Sequence, residues 1–178
     1  PKSAYSIPGK IGKIERHIIV VWVDNEAGVL ARVVGLFSGR GYNIESLAVA
    51  EVDHAQNISR ITIVTTGTPQ VIDQIKLQLK KLVPVHKVAS FKRDDKNVIF
   101  KEMALFKLVG NISKRNKALN ACKKFNPVLL DTTNKSYVVQ VTALRREIDM
   151  MSKNLKKLGL VSVSRTGAVA MTRGALTL

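Results

Sequence analysis

The stretch DNEAGVLARVVGLFSGRGYNIES, residues 24–46, leads out of a strand-like segment, through an amphipathic helix and toward a second strand. The preceding residues 16–23 are rich in β-branched side chains, which favour a strand. Inside the stretch, apolar side chains recur at the three-and-four spacing of a helix, at Val29, Leu30, Val33, Leu36 and Phe37. The helix ends at GRG, where Gly39 or Gly41 can adopt the left-handed conformation of a helix C-terminus. The stretch therefore predicts a strand, a helix and a strand in direct succession.

The rest of the first half continues this series of elements. Strands are expected at about 43–52 and 58–66, separated by the polar loop DHAQN. Thr68 and Pro69 then predict a helix N-terminus, because threonine is a common N-cap and proline fits the first helical position. Pro84 ends that helix, and a strand at 85–91 completes the order βαββαβ.

A polar run, KRDDKN at 92–97, predicts a linker before a second series of elements. That series is strand, helix, strand, strand and helix, then two short strands at 160–164 and 168–171. The sequence thus predicts an α+β protein of two tandem α/β sandwiches, a ferredoxin-like βαββαβ domain and a βαββαβ-type domain. The expected division is an N-terminal extension at 1–15, a first domain at 16–91, the linker at 92–97 and a second domain at 98–178.

Composition limits the classes of protein to which the chain can belong. With 46% hydrophobic residues, the chain can build sizeable cores. The single cysteine, Cys122, excludes an internal disulfide, and the three histidines are too far apart in sequence to suggest a metal site. The longest apolar run, IIVVWV at 18–23, is too short to span a membrane, and residues 1–16 lack the apolar core of a secretory signal. We therefore expect a cytoplasmic protein without a bound metal.

The net charge of +16 is concentrated in the second half of the chain. Residues 1–95 carry 13 Lys and Arg against 9 Asp and Glu, whereas residues 96–178 carry 16 against 4. Clustered cations suit phosphate binding, so the charge raises the hypothesis of a nucleic-acid partner. Many of these cations are lysine pairs on the polar faces of expected helices, where solvated lysines are ordinary. We therefore predict no nucleic-acid partner.

The residues at the two ends of the first helix suggest a site for a small ligand. Asn25 lies between a strand end and the helix start near Gly28, where free backbone N–H groups favour an anion of carboxylate size. An amide can donate or accept, and a glycine leaves the backbone open to a ligand. Each residue alone also has a structural interpretation: Asn25 as N-cap, Gly28 and Asn43 as turn residues, Gly41 as C-cap. Their combination on one unit favours a binding site.

No catalytic motif accompanies this pattern. The sequence contains no GxxxxGK[ST] phosphate loop, and its serines lack a GxSxG context. Asp94 and Asp95 are more simply linker residues than an acid–base pair. We therefore expect no catalytic residue and no cofactor in this chain.

The segments HIIVVWVDNEAGVLARVVGLFSGRGYNIESLAVAEV, SRITIVTTG and VIDQIKLQLKKLVPVHKV closely resemble the regulatory small subunit of acetohydroxyacid synthase (acetolactate synthase), whose first half is an ACT domain. The resemblance is dense over 16–91. Over 99–173 it is looser and depends mainly on KEMALFKL and VSRTGAVAMTRG.

The resemblance implies a noncatalytic subunit that activates a catalytic large subunit and confers feedback inhibition by a branched-chain amino acid, usually valine. It also implies a homodimer formed through ACT domains, with the effector held between protomers, while thiamine diphosphate, magnesium and flavin belong to the catalytic partner. The effector-binding residues that it implies are Asn25, Gly28, Val29 and Leu30 from one chain, with Asn43 and Ile44 from the partner chain. Val29, Leu30 and Ile44 could form an apolar wall for the isopropyl group, or could simply belong to the core.

Two alternatives remain open at this stage. One is an ACT-type amino-acid sensor that acts on another enzyme, which would bind another amino acid and leave acetolactate formation unchanged. The other is a ligand-responsive nucleic-acid-binding protein, which would retain DNA or RNA with a steep dependence on salt. No helix-turn-helix pattern or pair of stacking aromatic residues favours the second alternative.

Overall fold

The computed structural model describes residues 13–175, which form two compact units, 13–97 and 98–175. Most of the expected N-terminal extension, 1–15, lies outside the described residues. The elements of the first unit are β1 (Glu15–Asp24), α1 (Val29–Ser38), β2 (Ser46–Asp53), β3 (Ile58–Gly67), α2 (Pro69–Leu79) and β4 (Val85–Lys92). Their order is the βαββαβ that the sequence predicts.

The four strands of the first unit form one antiparallel sheet in the order β2-β3-β1-β4. Alternate residues of β1, including Ile19 and Val21, are fully buried on the face covered by α1 and α2. Val33 of α1 and Ile75 of α2 pack into the same core, each with no exposed surface. The amphipathic pattern of each helix therefore decides which face of the sheet is covered.

The end of α1 and the start of α2 lie largely where the sequence predicts them, whereas α2 ends at Leu79, before Pro84, where the sequence predicts its end. Gly41 has φ of +68° and follows α1, and the N–H of Tyr42 donates to the carbonyl of Phe37 at 2.9 Å. Before α2, the Oγ1 atom of Thr68 accepts from the N–H of Val71 at 3.4 Å, and Pro69 is the first helical residue. The N-cap prediction at Thr68 is thus confirmed.

The second unit repeats this arrangement and adds a strand. Its elements are β5 (Val98–Val109), α3 (Ile112–Cys122), a short 3₁₀ helix (Lys123–Phe125), β6 (Val128–Thr132), β7 (Ser136–Ala143), α4 (Arg145–Lys156), β8 (Leu160–Arg165) and β9 (Val169–Thr172). The sheet order is β6-β7-β5-β8, and β9 pairs with the first part of β5, from Val98 to Lys101. The predicted fold class, two tandem α+β sandwiches, is confirmed.

A buried carboxylate lies in the second unit. Glu102 on β5 is only 2% exposed, and its two carboxylate oxygens accept from Nε and Nη2 of Arg165 at 2.5 and 2.9 Å. Nη1 of the same guanidinium donates to Asp149 of α4 at 2.6 Å. These two carboxylates raise the pKa of Arg165, the hydrogen bond to Glu102 having the largest effect. Arg165 therefore connects the strand pair β5–β8 to α4.

Candidate functional site

Gly28 is the N-cap of α1, and its backbone has the left-handed φ of +83°. No side chain caps this helix: the N–H of Val29 donates to the Glu26 carbonyl at 3.3 Å, and that of Arg32 to the Gly28 carbonyl at 3.0 Å. Between them, the N–H groups of Leu30 and Ala31 donate to no acceptor within residues 13–175. Two exposed amide donors at a helix N-terminus form a suitable site for a carboxylate.

The space beside Gly28 is open. A Cβ atom added at Gly28 would find no heavy atom within 4 Å. Because an L-residue with a φ near +80° is strained, glycine is required here by the backbone conformation, not by crowding. On the side where a Cβ atom would lie, a ligand can therefore approach the backbone of Gly28 without displacing a side chain.

Asn25 does not cap α1, so its structural interpretation as the N-cap is wrong. Its Oδ1 atom instead accepts from the Oγ of Ser59 at 3.0 Å. Its backbone N–H donates to the carbonyl of Asn57 at 2.7 Å, and its carbonyl accepts from Nδ2 of Asn57 at 3.3 Å. Asn25 is thus held against the start of β3 and the residue before it, while Asn25 itself remains exposed to solvent.

A hydrogen-bonded pair of Asp24 and His86 lies next to Asn25. The Oδ1 atom of Asp24 lies 2.6 Å from Nε2 of His86 on β4, and the N–H of Asp24 donates to the carbonyl of Pro84 at 2.9 Å. Sequence reasoning identified neither Ser59 as a partner of Asn25 nor His86 as a partner of Asp24. Both are more than 30 positions away along the chain, and only strand pairing brings them there.

Asn43 lies in a different environment. Its carbonyl accepts from Oγ1 of the fully buried Thr65 at 2.6 Å, while the residue itself is exposed. Thr65 is the register partner of His17, near the beginning of β1. Burial lowers the pKa of His17, which is 7% exposed, and its Nε2 atom has no hydrogen-bond partner among the described residues.

The three apolar candidates differ in their exposure. Val29 is 3% exposed and belongs to the core of the first unit, and Ile44 packs against the same core. Leu30 is 40% exposed. Of the three, Leu30 is therefore the side chain that is most accessible to a ligand or to another protomer.

One chain does not bring the two asparagines together. Asn25 is attached to Ser59, and Asn43 to Thr65, on the same strand β3. These two anchors are six positions apart along an extended strand, which corresponds to about 20 Å at roughly 3.3 Å per residue. Asn25 and Gly28 thus lie at one end of the sheet, and Asn43 and Ile44 at the other.

Comparison with protein families matches both units. Residues 19–87 match the AHAS small subunit-like ACT domain, and residues 101–174 match the small subunit of acetolactate synthase. The chain belongs to the acetolactate synthase small-subunit family. All six candidate effector residues lie inside the segment that matches the ACT domain.

Individual members of the acetolactate synthase small-subunit family align over most of the chain. The small subunit from Aquifex aeolicus is 39% identical over 163 residues, which are 91% of this chain and 83% of that protein. The small subunit from Haemophilus influenzae is 38% identical over 160 residues, which cover 89% and 96%. The crystal structure of the small subunit from Thermotoga maritima superposes with a TM-score of 0.81 and 29% identity, covering 90% of this chain and 99% of that one.

Among residues 13–175, no helix is long and apolar enough to cross a membrane. The same described residues contain no group of three or more His, Cys, Asp or Glu residues close enough together to hold a metal ion. Cys122, the single cysteine, is buried, and burial raises the pKa of its thiol.

Proposed function

We propose that this chain is the noncatalytic regulatory subunit of a cytoplasmic acetolactate synthase, which activates the catalytic large subunit and makes it sensitive to feedback inhibition by valine. The observation that carries the proposal is the open N-terminus of α1 in the ACT unit. There, the N–H groups of Leu30 and Ala31, which have no acceptor among residues 13–175, lie beside a glycine that leaves the backbone accessible. This arrangement suits the carboxylate that every amino-acid effector carries.

The neighbouring groups suit the rest of a small apolar amino acid. The exposed side chain of Leu30 can contact a branched aliphatic tail. Oδ1 of Asn25 is held by Ser59, and among the described residues the Nδ2 group of the same amide has no acceptor, so it can donate to a ligand. Backbone carbonyls of the loop before Gly28 can accept from the ammonium group. Valine combines these three features in one small zwitterion.

The position of Asn43 supports a homodimer with shared sites. Asn43 and Ile44 lie about 20 Å from Asn25 along β3, too far for one small ligand to contact both, given the rise of roughly 3.3 Å per residue. A second protomer can bring its own Asn43 to the first protomer's Gly28, and twofold symmetry then creates two equivalent sites. The edge strand β2 begins just after Asn43 and Ile44 and carries the exposed Val49 and Val52. An edge of this kind is suited to pairing with another chain.

Catalysis remains with the partner in this proposal. The catalytic large subunit supplies thiamine diphosphate, magnesium and flavin, and the present chain supplies no cofactor and no reacting group. The chain contributes a site that binds the effector with different free energies in two states of the holoenzyme. This difference in binding free energy is what makes the effector allosteric.

Reconstitution with the cognate catalytic subunit tests the proposal. Adding this chain should raise the rate of acetolactate formation, and valine should then lower it, whereas the chain alone should form no acetolactate. Leucine, isoleucine and an unrelated amino acid such as histidine serve as comparison effectors. If the rate is unchanged at a saturating ratio of subunits, the regulatory assignment is wrong. If another enzyme responds instead, the chain is a sensor for that enzyme.

A further inference from the structure

Thr65 has no exposed surface, yet its hydroxyl makes a single defined contact with the candidate site. Its Oγ1 atom donates to the carbonyl of Asn43 at 2.6 Å. Burial of a hydroxyl is unfavourable without a hydrogen bond, so the bond to the Asn43 carbonyl offsets the cost of burying the Thr65 side chain and couples this buried residue to the exposed Asn43.

Two further contacts fix the same short segment. The N–H of Glu45 donates to the carbonyl of Val64 at 2.8 Å. The carboxylate of Glu45, 13% exposed, lies 2.9 Å from Nε of Arg16. Residues 43–45 are therefore attached to β1 and β3 at both ends, and Thr65 provides the attachment at Asn43 itself.

We propose that Thr65 is a positioning residue for effector recognition, which acts by fixing Asn43 where the effector of a neighbouring protomer can reach it. This inference rests on the proposed function and adds a residue to it. Thr65 cannot touch a ligand, because it is fully buried beneath the segment that it anchors. A binding group must be held within about 0.5 Å of its productive position, so loss of the anchor lowers effector affinity without removing any contacting atom.

The chain offers matched variants for the test. Thr65→Val removes the hydroxyl and keeps the size and the β-branch. Thr65→Ser keeps the hydroxyl. Thr66→Val makes the same chemical change one residue along β3, where the side chain lies on the opposite face of the sheet. Each full-length variant is combined with the catalytic subunit, and the activation and the valine concentration for half-inhibition are both measured.

We expect Thr65→Val to raise that valine concentration by about fivefold to tenfold, the effect of one lost hydrogen bond, with activation close to that of the parent chain. Thr65→Ser should restore valine sensitivity, and Thr66→Val should retain it. A merely structural role would lower activation and the melting temperature together with valine sensitivity, and Thr65→Ser would rescue none of them selectively. Parental valine sensitivity in Thr65→Val would overturn the inference. A parent chain that does not respond to valine would instead contradict the proposed function.

Discussion

The Oδ1 atom of Asn25 accepts a hydrogen bond of 3.0 Å from the Oγ of Ser59, so this amide is oriented by β3 and does not cap the helix that follows it. The orientation matters for the proposed site because the Nδ2 group of the amide, which has no acceptor among residues 13–175, can then donate to a ligand. Because Asn25 does not cap α1, a substitution at Asn25 can change ligand affinity without removing a helix cap.

We expect Asn25→Ala to weaken valine inhibition by roughly tenfold to a hundredfold, which corresponds to loss of one hydrogen bond to a charged group, about 1.5 to 3 kcal/mol. The measurement is a valine titration of the reconstituted enzyme. Ser59→Ala is the control: it frees the amide without removing it, so inhibition should weaken less. Unchanged valine sensitivity of Asn25→Ala, with a melting temperature several degrees lower, would assign Asn25 a purely structural role.

Two substitutions at Gly28 distinguish the effect of an added negative charge on valine affinity from the effect of backbone strain. Gly28→Asp places a negative charge beside the donors for the effector carboxylate, whereas Gly28→Asn has nearly the same size and no charge. Asn and Asp both tolerate a φ near +80° better than most residues, and a Cβ there meets no neighbour within 4 Å. Isothermal titration calorimetry should therefore show a much larger loss of valine affinity for Gly28→Asp. Equal losses in the two variants would indicate that the carboxylate does not bind at this helix N-terminus.

A shared site also predicts complementation between two defective chains. Asn25→Ala and Asn43→Ala homodimers each have two impaired sites. A heterodimer of the two variants, isolated with two different affinity tags, has one intact site and one site with both defects. We expect its valine titration to show about half of the wild-type binding capacity at wild-type affinity, as twofold symmetry requires. A heterodimer no better than its parents would contradict sharing between protomers, and a strictly monomeric mass with valine present would exclude it.

The ion pair between Glu102 and Arg165 predicts that two substitutions in the second unit, Arg165→Met and Asp149→Asn, lower the free energy of unfolding by different amounts. Arg165→Met leaves the carboxylate of Glu102 buried without its partner and should lower the free energy of unfolding by about 3 kcal/mol. The side chain of Asp149 is 48% exposed. Asp149→Asn removes only this exposed partner of Arg165, so it should lower the free energy of unfolding by at most about 1 kcal/mol. Urea unfolding of the full chain measures both. Equal effects would show that Glu102 is not the critical partner.

The order of the elements could be predicted from the sequence because each signal is local. The spacing of Val29, Val33 and Leu36 predicts α1, and the pair Thr68 and Pro69 marks the start of α2. Periodicity and capping depend on residues within a few positions of one another, and they survive into the folded state.

The contacts of the candidate site could not be predicted in the same way. Asn25 has the residue type and position of an N-cap, but tertiary contact with Ser59, 34 positions away, determines its role. The partnership of Thr65 with Asn43 and that of Glu102 with Arg165 depend likewise on strand pairing across long separations. The pairing of β9 with the start of β5, which adds a strand to the second unit, has the same origin.

The placement of Asn25 and Asn43 at opposite ends of one sheet has a consequence for dosage. In the shared-site arrangement, a lone protomer holds two half-sites and no whole one, so valine binding and self-association are thermodynamically linked. Valine must tighten the pairing of protomers by the same factor by which pairing tightens valine binding. Dilution of the subunit then weakens valine inhibition as a substitution in the site would, because fewer protomers are paired, although no residue has changed. Under the proposed function, the abundance of the subunit would therefore set the strength of the feedback together with its sequence.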